Sequence, residues 1–188
     1  MRLLAAAALL AGLCGAGVFG RADAASWVII PAQSHLAFSG TQSGQRFSGS
    51  FHKFAATISF DPQHLDQSAI KVTIAMASAV TGNAQRDDMM TNADWFDIKQ
   101  FPVAEFEAAR FTKTGPDAYV ADGSLTIRDT TRPVQLPFHL QIVGKTAHVV
   151  GHLAISRRDF GVGRGEWASA DIVGDTVDIT CDIVAAAP

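Results

Sequence analysis

The chain has 188 residues, 48% apolar and 18% charged, with a net charge of −3, enough for a domain with its own core and unlike a disordered chain. No basic excess marks a nucleic-acid footprint, and no collagen-like, coiled-coil or disulfide-framework composition is present. Twelve Phe against a single Tyr supply apolar area without a polar handle, which suits a greasy interior better than a polar recognition surface.

Met1-Arg2 precedes 18 uncharged residues from Leu3 to Gly20, and Ala22-Asp23-Ala24 offers small residues at a cleavage site. This is the layout of a secretory signal, so residues 1–24 are read as a cleavable signal peptide and 25–188 as an exported, periplasmic domain. The rival, an uncleaved anchor, is weakened by an Ala- and Gly-rich run at the lower edge of a spanning helix. Cys14 has Ala11 and Leu13 before it, the wrong order for a lipobox. Cleavage leaves Cys181 as the lone cysteine, with no internal disulfide to form.

From Trp27 onward the pattern is period-2 alternation. Extended runs are expected over Trp27–Phe38, Phe47–Phe60, Ile70–Met76, Val103–Ala108, Ser124–Ile127, Val134–Val143, Ala147–Ile155 and Val177–Ile183. Within Phe47–Phe60 the apolar phase changes, and a bulge near His52-Lys53 would reconcile Phe47 and Phe51 with Phe54 and Phe60. Gly144-Lys145 reads as a two-residue hairpin turn. Asn83 to about Phe96 is the helical stretch, capped by Asn83 or Thr81, with a second short turn begun by Asn92. About eight strands with one short helix and no internal repeat favour an all-β barrel or sandwich. Small inward residues such as Gly49, Ala56, Ala104, Ala108 and Gly151 either leave room along a barrel axis or offset bulky Phe in a filled core, and the pattern supports both.

Chemistry-bearing motifs are sparse. No Gly-x-Ser-x-Gly elbow occurs, and Gly161-Val162-Gly163-Arg164-Gly165 lacks the Lys-Ser/Thr of a phosphate loop, so it reads as a connection between strands. With the hairpin at Gly144-Lys145, Gln141 pairs with His148 and His139 faces Val150, placing His139 diagonally between His148 and His152 on the outer face. His148 and His152, four apart on a strand, are too distant to share one ion with His139, so solvated positions are expected and no metal site. Arg86-Asp87-Asp88 and Arg157-Arg158-Asp159 either meet an anionic headgroup or solve local capping. Trp95-Phe96 would plug one barrel end or line a portal.

Several segments, in order, carry a resemblance. Gly49-Ser50-Phe51 and Ile58-Ser59-Phe60-Asp61-Pro62 are followed by Thr81-Gly82-Asn83-Ala84-Gln85-Arg86-Asp87, Asp94-Trp95-Phe96-Asp97 and Phe101-Pro102-Val103-Ala104-Glu105-Phe106. Gly123-Ser124-Leu125-Thr126-Ile127-Arg128, Arg158-Asp159-Phe160-Gly161-Val162-Gly163 and Val173-Gly174-Asp175-Thr176-Val177 complete the set. Together they resemble the YceI family of polyisoprenoid-binding proteins over Trp27 to Ala185.

The resemblance implies an eight-stranded antiparallel, lipocalin-like barrel. It would hold a polyisoprenoid or prenyl-tailed quinone non-covalently, without catalysis and without another cofactor. Gly163-Arg164-Gly165-Glu166-Trp167 resembles the branch found with cytochrome b561-type membrane proteins, which implies such a partner and a quinone ligand; homodimer formation stays open. Two departures stand out. Ile30 and Gln33 occupy the places of an Asp and a His on the first strand, and Asp129 replaces a turn Gly whose left-handed backbone Asp tolerates. On this reading Phe38, Phe47, Phe51, Phe54, Phe60, Phe106 and Phe138 are the expected channel lining, and Arg86 and Trp95 the expected portal. The alternatives are a redox accessory presenting a quinone to a membrane cytochrome, and a ligand-free stress or interaction module with a filled barrel.

Overall fold

The computed structural model describes residues 25–188, and the signal-peptide reading of residues 1–24 lies outside the described residues. Eleven strands follow in chain order. They are β1 (Ser26–Ile29), β2 (His35–Gln42), β3 (Gln45–Phe51), β4 (Phe54–Ser59), β5 (Ala69–Ala75), β6 (Ala79–Val80), β7 (Val103–Lys113), β8 (Ala118–Ile127), β9 (Thr130–Val143), β10 (Thr146–Ser156) and β11 (Thr176–Ala186). One helix, α1 (Ala84–Met90), interrupts them.

Three pairs of these strands are single staves broken in the middle. Pro31 opens a 3-10 turn (Pro31–Gln33) between β1 and β2. His52-Lys53 separates β3 from β4, and a 3-10 turn (Met76–Ser78) separates β5 from β6. The eight staves are all antiparallel, and β11 pairs with both β1 and β2, which closes the sheet into a barrel.

The phase change in Phe47–Phe60 is therefore met by a break rather than by a bulge in one continuous strand. His52 N–H donates to Ser78 O at 3.1 Å and Ala75 N–H to Lys53 O at 2.9 Å, so both staves are interrupted at the same level and stay paired on either side. The bulge in this barrel lies at Ala109, where the β7–β8 register shifts between Ala108 and Arg110. It lets Phe106, Ala108 and Phe111 all face the core despite their odd spacing.

The hairpin at Gly144-Lys145 forms with the expected register, His148 opposite Gln141 and Val150 opposite His139. Pairing of β9 with β10 ends at Phe138, so Pro133 and Pro137 lie where that edge has no partner on β10, the place where proline is tolerated. The Arg157–Phe160 turn packs there, and Arg132 Nε donates to Asp159 O at 3.2 Å.

The Asn83 side chain accepts from Arg86 N–H at 3.0 Å and starts α1. Asp87 accepts from both the amide and the hydroxyl of Thr81. The helix ends at Met90, short of the expected Phe96; Trp95 N–H then donates to Asn92 O at 3.0 Å in the second turn. At the β8–β9 turn the left-handed residue is Arg128 (φ 58°), not Asp129.

The barrel thus has two different ends. The helix end carries α1 and the 157–175 loop, and the hairpin end carries Gly144-Lys145, the 61–68 loop, β1 and the last residues of β11.

Candidate functional site

The helix end is shut. Phe160, 2% exposed, lies with Met76 and Met90 in the core there, and Phe96 packs on Phe51, which packs on Phe38 with centroids 5.1 Å apart. Residues 91–102 and 157–175 interlock, since Gly163 and Arg164 both donate their amides to Asp94 O, at 2.7 and 2.8 Å.

Two buried arginines organise this plug. Arg157 spends its five guanidinium donors on five main-chain carbonyls: Val162, Gly163, Trp167, Val173 and Gly174, at 2.8–3.1 Å. Asp175 lies 3.5 Å away. A β-carbon on Gly163, itself at φ 76°, would stand 2.2 Å from Arg157 Nη1, so the loop's glycine makes room for the guanidinium. Arg128 donates to the carbonyls of Ala93 and Trp95 and lies over the Phe101 ring at 5.3 Å. Burial draws both guanidinium pKa values down from the ordinary arginine range. Neither side chain is presented to a headgroup, and Arg158 is paired with Asp175 at 3.2 Å.

Below the plug lies an apolar cavity of about 180 Å³. That is about a dozen times what one water needs, and a space without polar partners is a poor place for water. Its wall has 24 residues and no charge. The side-chain heteroatoms in it are Trp27 Nε1, donated to Phe60 O at 3.0 Å, and the sulfur of Cys181, whose thiol pKa burial pushes up.

The expected lining residues divide by level. Phe54, Phe60, Phe106 and Phe138 line the cavity. Phe38, Phe47 and Phe51 stand outside its wall, toward the plug. Phe38 covers Gly49, where a β-carbon would lie 2.5 Å from its ring, and Phe47 lies 4.3 Å beneath the Arg86 guanidinium.

The portal residues also belong to the closed end. Arg86 is held by Gln42 Oε1 and Thr81 Oγ1, and Trp95 packs on Trp167 with centroids 5.9 Å apart and its indole N–H buried without an acceptor. The opening is at the other end. Ile142 lines the cavity and is 40% exposed, so the wall reaches the surface beside the hairpin.

Sequence reasoning centred on Phe missed much of this wall, which is aliphatic: Ile29, Leu36, Leu136, Ile142, Ile179 and Ile183. The signal was present, since each lies on the apolar phase of its strand.

On the outer face the three histidines of β9 and β10 each meet a carboxylate: His139 with Asp117 at 3.4 Å, His148 with Asp182 at 2.7 Å, and His152 with Asp178 at 3.3 Å. Among the described residues no group of three or more His, Cys, Asp or Glu is placed to hold a metal ion, and no helix is long and apolar enough to cross a membrane.

Comparison with known proteins agrees with this architecture. Residues 27–185 match the YceI-like domain. A UPF0312 protein of Azotobacter vinelandii is 31% identical over 170 residues, covering 86% of this chain and 87% of its own. The crystal structure of BcnA from Burkholderia cenocepacia superposes with a TM-score of 0.80 at 33% identity, over 83% of this chain and 98% of that one. A polyisoprenoid binding domain from Saccharophagus degradans, implicated in plant cell wall breakdown, shares the fold at TM-score 0.71 and 14% identity, over 87% and 99%. With an eight-stave barrel and a family match that runs from β1 into β11, the chain belongs to the YceI-like family.

Proposed function

We propose that this protein binds a long apolar lipid, a polyisoprenoid or a prenyl-tailed quinone, in the barrel cavity and carries it through the periplasm without chemical change. The observation that carries the reading is the wall itself, 24 residues without a charge around open space. Each CH₂ moved from water into such a space contributes roughly 0.8 kcal/mol, so a prenyl tail binds well with few polar contacts. The slender, tubular shape of an eight-stranded barrel suits a chain better than a globular ligand. The polyisoprenoid binding domain of Saccharophagus degradans, a protein of the same fold, supports the choice of ligand class.

Native mass spectrometry of protein purified from the periplasm, followed by solvent extraction, tests this. A stoichiometric prenyl lipid is expected. A quinone in the extract would extend the reading to presentation before a cytochrome b561-type membrane partner, whereas a polyprenyl alcohol or phosphate would remove that extension. Protein absent from the periplasmic fraction would refute the carrier's location. An apo mass that also refuses added prenyl lipid would overturn the binding function.

A further inference from the structure

The hairpin end has an apolar arc whose composition contrasts with the plug. Val143, Thr146, Ala186 and Val28 form one row across β9, β10, β11 and β1, and Ile142, Ala147, Ala185 and Ile29 form the next. All four residues of the second row line the cavity. In the first row Val143 is 78% and Val28 62% exposed, so an exposed apolar edge lies one residue from the cavity wall.

The contributing segments are almost without charge. Residues 25–34 and 183–188 have no charged side chain, and residues 140–147 have Lys145 alone. At the helix end, residues 83–99 hold six charged side chains and residues 157–175 hold seven. The rest of the hairpin-end rim is polar, with Asp61 and Asp66 in the 61–68 loop and Lys113 and Asp117 beside the β7–β8 turn.

We propose that this arc, from β9 to β1, docks on the surface of a phospholipid bilayer, with the barrel tilted so that the mouth beside Ile142 faces the acyl chains. The proposal rests on the lipid-binding reading of the cavity and names where the lipid enters. Valines exposed at a mouth that continues into an apolar wall lose contact with water on entering the interface. The one charged side chain of the arc, Lys145, donates from Nζ to Pro188 O at 2.9 Å, so its ammonium is partnered at the rim, and its stem adds apolar surface there. Attachment is driven by apolar contact, so it survives high salt, unlike binding to anionic headgroups by charge.

Flotation of the purified protein with vesicles of phosphatidylethanolamine and phosphatidylglycerol tests the arc. Wild type is expected to float, in low and high salt alike. The double variant Val28→Glu with Val143→Glu is expected to lose about tenfold or more of its vesicle affinity. Val28→Thr with Val143→Thr, which keeps the β-branched shape, is expected to lose less. Farnesol titration followed by tryptophan fluorescence reports on the cavity independently, and retained farnesol affinity in the variants shows an intact barrel. Wild-type protein that stays at the bottom, or a Glu pair that floats like wild type, would overturn the docking surface. A wild-type dimer that the Glu pair splits, without flotation, would assign the arc to a second copy and also overturn it. Farnesol that fails to bind wild type refutes the cavity reading, while flotation still reports on the arc.

Discussion

A β-carbon on Gly151 would stand 2.9 Å from the sulfur of Cys181, its partner across β10 and β11. The missing side chain on one strand is the space that the thiol of the next occupies, and the sulfur is left on the cavity wall. Cys181 therefore reports on the cavity from inside. Its thiol pKa is held above the ordinary value of 9.0 by burial, so little thiolate forms at pH 8 and alkylation by iodoacetamide is slow. Prenyl lipid in the cavity is expected to slow it by a further factor of about ten. Mass spectrometry of the alkylated fraction over time measures both rates; equal rates with and without lipid would place the lipid elsewhere.

Phe106 and Phe51 make a matched pair of probes. Phe106 lines the cavity, whereas Phe51 packs between Phe38 and Phe96 at the closed end. Phe106→Trp is expected to weaken prenyl binding about tenfold by filling space the chain needs. Phe51→Trp is expected to cost about 1–3 kcal/mol of stability through overpacking, with affinity unchanged. Calorimetric titration of farnesol and urea unfolding of both variants separate the two effects. Equal affinities for Phe106→Trp and wild type would take Phe106 out of the binding wall.

Arg157 is 3% exposed and ties five carbonyls of the 162–174 loop together. Lysine carries the charge but not the fork, so Arg157→Lys leaves most of those carbonyls without a donor. A loss of about 3–5 kcal/mol is expected, as for breaking other buried charged networks. Hydrogen exchange at Val162 and Gly163 should rise with it, because the loop loses its anchor. Exposed Arg158 supplies the control: if Arg158→Lys costs as much in urea unfolding, the buried network has no special part in stability.

Asp61 and His64 form an exposed pair in the 61–68 loop whose two pKa values are moved in opposite directions. Their 2.8 Å hydrogen bond, with the charges behind it, holds the His64 imidazole above its ordinary 6.5 and the Asp61 carboxyl below its ordinary 3.8. For His64 the stabilisation is complete below 6.5 and disappears as pH rises through the raised folded value. For Asp61 it is complete above 3.8 and disappears as pH falls through the lowered folded value. The 61–68 loop is thus held best between those two ordinary values, with a small effect on global stability because the pair is solvated. NMR titration of the His64 ring should show a midpoint that Asp61→Asn returns to the ordinary histidine range; a midpoint that does not move would exclude the pairing in solution.

The local sequence pattern alone determined the all-β class, with barrel and sandwich both open, the Gly144-Lys145 hairpin with its register, and a helix start at Asn83 or Thr81. These depend on neighbours in sequence, through side-chain alternation, turn chemistry and capping. It also set which side chains point inward, Phe38 and Phe51 as much as Phe106 and Phe138. Alternation carries no information about height along the barrel axis. That height depends on strand stagger and on how far each pairing runs, which are settled between residues as distant as Ile29 and Ala185 or Phe38 and Ile179. So only the tertiary structure decided that Phe38, Phe47 and Phe51 stand with the plug, and that Arg86 and Trp95 close one end while Ile142 marks the mouth at the other. The same holds for Arg157, whose five acceptors come from a loop that must already be folded back over it before the guanidinium has anything to bind.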